Sequence, residues 1–336
     1  MSALQALIKR NKKMIINGNA ILSDIIDLSN KGYVKGLRMP FKCLDELYSM
    51  KMGHTSYIVG HEYNGKTEFV LERDVYLAKN FGIKTAIFTP ETGSVEDIYL
   101  EIAHKWSGKS LIGNYVSMGE KQSILYQVCS HFFVINADDE EISMLEIFES
   151  LLEFEAENAV FIENIVIDPF NEIKFDLQGM PRDIWLEKQL GSVRRKVRKE
   201  QRHITIVTHP IESDRLYHPD GYTLPPSRKQ YSGGQAWARK GESMMAVWRP
   251  PFGTNHKGEE FKDSDGIPFS DNECHIIIHK SKPKGTGQLG VGVLYFDWQR
   301  SAYFELIAGH RFYAGEYYAK HENTQVKIIP IESDPF

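Results

Sequence analysis

The chain has 336 residues, of which 42% are hydrophobic and 25% charged, so it is long enough to bury a sizeable core as one large α/β domain or as a domain with a small arm. No apolar run reaches membrane-spanning length, and the N-terminal "MSALQALIKRNKKM" is too short an apolar stretch for a signal peptide, which reads as a cytoplasmic protein with no membrane partner. The formal net charge of −5 gives no support for nucleic-acid binding by the molecule as a whole, and Cys43, Cys129 and Cys274, odd in number and scattered, argue against a disulfide framework or a zinc site.

In chain order, the stretch "LQALIKRNKKMIINGNAILSDIIDL" within residues 1–30 has the spacing of an amphipathic helical arm. "TSYIVG" (Thr55 to Gly60) is a short β-branched and aromatic run that predicts a strand. "KTEFVLERDVYLAKN" then predicts a helix, with Val70, Leu71, Val75 and Ala78 at helical spacing and Gly82 just past its end. "KTAIFTPETG" is a buried strand running into a polar turn, and "HFFVINAD" from His131 is the next strand. Ser143 and Glu146 form a capping box for a helix whose stripe is Met144, Ile147, Phe148, Leu151 and Leu152. "AVFIENIVIDPFN", a helix around Trp185 to Gln201, "HITIVTHP", "SMMAVWRP", "ECHIIIHK" and "GVLYFDW" complete the alternation, which predicts a mostly parallel sheet covered on both faces. Asp214 to Tyr231 and Phe252 to Asn272 are long polar loops rich in Pro and Gly. In "VRRKVRKEQR", Leu190, Val193 and Val197 predict a buried stripe, which leaves Arg194, Arg195, Arg198 and Lys199 as a solvated helix face.

The stretch "VGHEYNGKTEF" carries a glycine, four residues, then Gly65-Lys66-Thr67. A phosphate cradle needs glycines at both ends so that backbone N–H groups can turn onto the anion, and Gly60 and Gly65 occupy those places. Lys66 is the candidate for the β and γ phosphates of ATP and Thr67 for the accompanying Mg2+, with Asn64 and Glu68 as neighbouring nucleotide contacts. This spacing arises by chance in roughly one chain of this length in a hundred. Its position between a strand and a helix N-terminus is the context the chemistry requires. Glu62, Tyr63 and Asn64 make the loop interior bulkier and more acidic than usual.

Ligands of open α/β sheets lie beyond the C-terminal strand ends, where Glu91, Asp168 and His209 fall. Asp168 is either a magnesium carboxylate or an aspartate starting a turn before Pro169. Glu91 is either a general base for the attacking water or a solvated loop carboxylate. His209 is either a contact to the γ-phosphate or a hydrogen-bonded structural histidine.

From about Gly32 to Glu305, the order and wording of these segments resemble the RecA-like ATPase domain of ring-shaped replicative DNA helicases, of the DnaB, Twinkle and phage primase-helicase type. The matching stretches are the lead-in with Leu44-Asp45, "IFTPETG", "IVIDPFN", "IVTHP" and, most distinctively, "YSGGQAWARKGESMMAVWRP". The resemblance implies an α/β RecA-like P-loop NTPase fold, with a mostly parallel central sheet flanked by helices and antiparallel strands at the C-terminal side. It implies an N-terminal arm over 1–30, a motor domain over 31–310 and a tail over 311–336. It makes Glu91 the catalytic glutamate, Asp168 the Walker B aspartate and His209 the sensor, and it sets Arg249 against the adenine, where the plain alternative is an exposed strand-end arginine. Beyond "HIIIH" the family has Lys-x-Arg with a finger arginine, whereas this chain reads Lys280-Ser281-Lys282; Lys282 keeps the charge without the planar fork, and Lys284 is the alternative carrier. The loop after His209 lines the family's central channel, which makes Arg215, Arg228 and Lys229 the candidates for the backbone of single-stranded DNA. The implied assembly is a homo-oligomer, a hexamer, whose arm docks on the next subunit; the plain alternative is an arm packed on its own domain. With so few residues before the motor, the implied further partner is a separate primase or loader, in a bacterial or phage-infected cell. A recombinase-like or regulatory DNA-binding ATPase, and a small-molecule kinase on the same loop, are the competing readings.

Overall fold

The structure, a computed structural model, describes residues 16–33, 35–136, 141–177, 179–211, 215–232, 234–283 and 285–321. Parts of the expected arm (1–15) and tail (322–336), and Lys284, lie outside the described residues. Up to Tyr33 the described chain is a unit of its own. Its 3-10 turn Gly18–Ile21 leads into the helix Leu22–Lys31, none of whose residues is buried: Leu22, Ile25, Ile26 and Leu28 are all exposed.

The second unit is built on a ten-stranded sheet in the order β10-β9-β8-β7-β6-β1-β5-β4-β2-β3. Its parallel part comprises β1 (Thr55–Val59), β2 (Thr85–Phe88), β3 (Phe132–Val134), β4 (Asn164–Ile167), β5 (His203–Thr208) and β6 (Ser243–Trp248). Every residue of β1, β2, β4, β5 and β6 is buried, as expected of strands covered on both faces, so they read as continuous runs. The remaining strands, β7 (Glu273–Lys280), β8 (Gly290–Asp297), β9 (Ala302–Ile307) and β10 (His310–Tyr313), are antiparallel. In β7 the burial alternates, with Cys274, Ile276 and Ile278 inward, because the other face is only partly covered. The described chain continues past β10 into a short helix, Glu316–His321.

Helices Lys66–Phe81, Val95–Ser107 and Met118–His131 contribute to the core on one face, and Met144–Asn158, Arg182–Glu200 and Gln235–Lys240 to the core on the other. The Ser143–Glu146 capping box forms, and Met144, Ile147, Phe148 and Leu151 are buried, but Leu152 is exposed because the stripe ends one residue earlier. The helix expected around Trp185 starts at Arg182 and closes with Gln201 in the left-handed region. The aromatic segment after the first long loop is a packing device. Trp237 meets Tyr57 and Phe170 edge-on at 4.8 and 5.0 Å and donates to the Ser232 carbonyl, while Tyr231 donates to Met245 O at 2.8 Å. A Cβ on Gly241 would sit 2.6 Å from the Tyr57 ring, so only glycine fits there.

Two polar networks fix the helix Lys66–Phe81. Beneath it, Ser56, Thr205, Asn164 and Thr85 form a fully buried seam on the sheet, facing the equally buried Arg73 and Asp74. Arg73 Nε donates to Asp74 Oδ1 at 2.7 Å, and Asn164 Nδ2 donates to Asp74 Oδ2 (3.1 Å) and Thr85 Oγ1 (3.2 Å). Beside it, the buried Lys105 ammonium lies 2.5 Å from Glu68, 3.7 Å from Glu101 and 3.8 Å from Glu72, and donates to Ser301 O at 2.7 Å. Burial pushes the Glu72 carboxyl up to about 7, with Lys105 opposing that rise. On the opposite helix layer, Arg195, Arg198 and Lys199 are exposed as expected and Arg194 is half-buried, but Arg194 and Arg198 also have a buried partner. Both bind the buried Glu242, at 2.5 and 3.1 Å, and Glu242 also accepts from the Thr55 amide and hydroxyl at the start of β1.

Candidate nucleotide-binding site

The loop Gly60 to Gly65 leaves β1 and enters its helix at Lys66. Gly65 has φ 81°, and a Cβ there would lie 2.3 Å from the Tyr303 hydroxyl; one on Gly60 would lie 2.6 Å from Val247 O. Both glycines are therefore required by the backbone's path, and the helix N-terminus adds its partial positive charge. Lys66 is buried, its Nζ 3.0 Å from His61 O and 3.4 Å from His209 Nδ1. Burial lowers its pKa against the pull of Asp168, Glu91 and Glu62.

Around this loop stand the ends of adjacent parallel strands. Asp168 follows β4 and accepts from Thr67 Oγ1 at 2.7 Å. It is nearly inaccessible, and burial raises its carboxyl above the usual range although Thr67 and Lys66 hold it down. Glu91, in the 3-10 turn Pro90–Thr92 after β2, is also raised, by partial burial and then by the Glu172 and Asp168 carboxylates. His209 follows β5, with Nε2 4.0 Å from Glu91 Oε2. Lys66, Thr67, Glu68, Glu91, Asp168, His209 and Arg249 all line one cavity of about 850 Å³.

Arg249, after β6, donates from its backbone to Asn64 Oδ1 at 2.9 Å and lays its guanidinium 4.8 Å from the Trp298 ring. Trp298, Phe296, Ser301 and Tyr303, from β8, β9 and their connection, form the remaining wall. Sequence reasoning missed these four, since only the order of the antiparallel strands brings them beside the loop. Tyr303 donates to Gly65 O at 3.2 Å.

The other candidates lie elsewhere. Arg215 lines a neighbouring cavity of about 380 Å³ together with His61, Asn64, Tyr222, Trp248 and Arg249. Arg228 and Lys229 are exposed on a turn. Lys282 is exposed beyond β7, whose antiparallel register sets Lys280 against Met244 at the start of β6. It therefore lies at the opposite end of the sheet from Lys66.

The donor set suits a nucleotide with Mg2+. A hydroxyl and a carboxylate in contact, Thr67 and Asp168, can share one hard cation whose other ligands are phosphate and water, and both approach a cradle only glycine can build. Among the described residues no group of three or more His, Cys, Asp or Glu side chains is arranged to hold a metal.

No protein-family model matches the chain. It is 26% identical over 285 residues to the chloroplastic/mitochondrial Twinkle homolog protein of Arabidopsis thaliana; the match covers 81% of this chain and only 37% of that protein. Among solved structures, the ATPase domain of G40P aligns with a TM-score of 0.65 at 13% identity, over 87% of this chain and 99% of that one. A DnaB-like replicative helicase, studied with its primase interactions, aligns with a TM-score of 0.64 at 14% identity, over 90% and 70%. No helix among the described residues is long and apolar enough to cross a membrane. With its parallel core, its antiparallel C-terminal strands and these neighbours, the chain carries the RecA-like helicase-domain fold of the DnaB type.

Proposed function

We propose that the chain is the motor of a DNA helicase, hydrolysing ATP with Mg2+ to move along single-stranded DNA and separate duplex. The observation that carries this reading is the meeting of Lys66, Thr67, Glu91, Asp168 and His209 in one cavity at the C-terminal ends of β1, β2, β4 and β5. Lys66 would bind the β and γ phosphates, and Thr67 with Asp168, the latter through water, would hold Mg2+, which supplies charge neutralisation at the phosphates. Glu91 orients the attacking water and takes its proton, as its raised basicity favours. His209, between Glu91 and Lys66, contacts the position of the γ-phosphate. Arg249 and Trp298 offer a cationic and an aromatic surface to the adenine.

Lys282 is too remote to serve the site of its own chain, so as a finger it acts on a neighbour's, which calls for a homo-oligomer, by family likeness a hexameric ring. Arg215, Arg228 and Lys229 would hold the strand's phosphates. Residues 1–30 would form an arm, 31–310 the motor and 311–336 a tail; the exposed apolar side chains of Leu22–Lys31 suit docking on the next subunit. A separate primase or loader is the expected further partner. The test is the ATPase rate with and without an oligo-dT strand, with particle mass from light scattering and strand displacement from a forked duplex. A DNA-independent rate from a monomer removes the reading. DNA stimulation without displacement replaces it with a recombinase-like or regulatory ATPase.

A further inference from the structure

We propose that His61 is a positioning residue that couples Lys66 to the loop segment 215–231, an inference that rests on the ATP and single-strand reading above. His61 is the second residue of the phosphate loop and is 7% exposed. Its carbonyl accepts from Lys66 Nζ at 3.0 Å, and its ring Nε2 lies 3.3 Å from Leu224 O. A carbonyl oxygen only accepts, so Nε2 carries the proton and donates it. One residue thus holds the catalytic ammonium with its backbone and the loop with its side chain.

The connection continues into the loop. Leu224 N donates to Leu216 O at 2.8 Å, and Tyr217 bridges Thr223, so a shift of Leu224 is carried to the residue beside Arg215. Arg215 and His61 line the same cavity. Thr223 is tied separately, its carbonyl accepting from Trp248 Nε1 at 3.0 Å, and this bond does not involve Lys66. The segment therefore has a fixed anchor at Thr223 and, one residue on, an attachment that answers to Lys66.

Phosphate oxygens are charged acceptors and bind an ammonium about twice as strongly as a neutral carbonyl does. A bound triphosphate draws Lys66 off His61 O, the His61 peptide is freed to turn, and the ring's hold on Leu224 changes with it. Nucleotide occupancy is thereby passed to Arg215 through a residue that lines the neighbouring cavity rather than the one around Lys66, Glu91 and Asp168.

The test measures the affinity of a fluorescein-labelled oligo-dT strand by anisotropy, with Mg2+ and either no nucleotide, ADP or the β,γ-imido analogue of ATP. The wild type should show a nucleotide-dependent change within the range of about 5 to 150-fold usual for coupled sites. In His61→Ala the ratio should fall to within twofold of one. His61→Gln, whose amide can donate to Leu224 O, should recover most of it, and Trp248→Phe, which loosens the loop without touching Lys66, should keep it. A His61→Ala ratio equal to wild type, or an equal loss in Trp248→Phe, overturns the proposal. Limited trypsin cleavage after Arg215, Arg228 and Lys229 provides a measurement that needs no DNA. Without nucleotide, His61→Ala should be cut as fast as nucleotide-bound wild type, even if the variant binds nucleotide poorly; a rate equal to nucleotide-free wild type overturns the proposal. If wild type binds no DNA, the motor reading fails, and the cleavage pattern alone decides the role of His61.

Discussion

Lys105→Met removes the ammonium that lies among Glu68, Glu72 and Glu101 while keeping a chain of similar length. Glu68 and Glu101 are about a third exposed and regain water, so the cost falls on Glu72, whose side chain is 6% exposed. Losing the hydrogen bond to Ser301 O adds about 1–3 kcal/mol at any pH. The Glu72 contribution depends on pH, and its sign follows from the direction of its shift. Its carboxyl titrates near 4.5 when unfolded and at about 7 when folded, so stability is full below the lower value and falls as pH rises through the upper one. Without Lys105 the folded value moves higher still, so the fall continues into alkaline pH. The variant should therefore trail wild type by a nearly constant margin at pH 6, and the gap should widen above pH 7 by up to about 1.4 kcal/mol per unit. Thermal unfolding from pH 6 to 9 reads this as a Tm difference growing by a few degrees, at about 2–4 °C per kcal/mol. A gap that stays flat or narrows with rising pH refutes the assignment of Lys105 as the partner of an ionised Glu72.

Lys66→Ala should depress nucleotide affinity and hydrolysis together, and near-normal turnover in that variant is incompatible with the phosphate-loop assignment. Glu91→Gln should keep ATP binding and assembly while hydrolysis drops by roughly 10²–10⁴-fold; affinity falling in parallel would make Glu91 a structural group. Because Glu91 must be ionised to act and its pKa is raised, kcat/KM should decline as pH falls through a value above that of free glutamate, about 4.3. An acid limb at or below that figure contradicts the role. Lys282→Ala should spare ATP binding but cut hydrolysis, and Lys282→Arg should hold or raise it. Mixing Lys66→Ala with Lys282→Ala chains should give more activity than either alone, and activity that is only their average places the finger elsewhere.

The parallel strands were legible because burial on both faces turns "NIVI" and "HITIVT" into unbroken runs, and the capped helix at Ser143 announced itself by its own hydrogen bonds. The helix Met118–His131 left no such mark: only Val128 is buried, so no apolar stripe exists to be read. Val95–Ser107 does carry a capping box, but with Asp97 in place of the usual glutamate or glutamine. Glu91, Asp168 and His209 could be named as candidates because each follows a parallel strand, and strand ends share one edge of the sheet, whereas Arg249 was named from the family resemblance. Phe296, Trp298 and Tyr303 could not be found that way, since their nearness depends on β8 and β9 folding back beside β7. The pairing of Arg194 and Arg198 with Glu242 was not legible because that partner lies in the connection before β6, more than forty residues on.

The polar seam under the helix Lys66–Phe81 acts as a gauge block. An apolar contact of the same size would tolerate a helix slipping along the sheet, since methyl groups accept many neighbours. Here a slip of one turn, about 5.4 Å, would break the hydrogen bond from Asn164 Nδ2 to Asp74 Oδ2, leaving a buried amide and a buried carboxylate oxygen each short of a partner, at about 1–3 kcal/mol for each buried group. Asp74 belongs to the helix that begins at Lys66, Asn164 to the strand that ends before Asp168, and Thr85 to the strand that leads to Glu91. Asn164 and Thr85 open their strands and Asp74 stands midway along the helix, so this cluster ties the helix to the sheet behind the site, and motion driven by the bound nucleotide is expected outside it, in the loops and side chains at its edge.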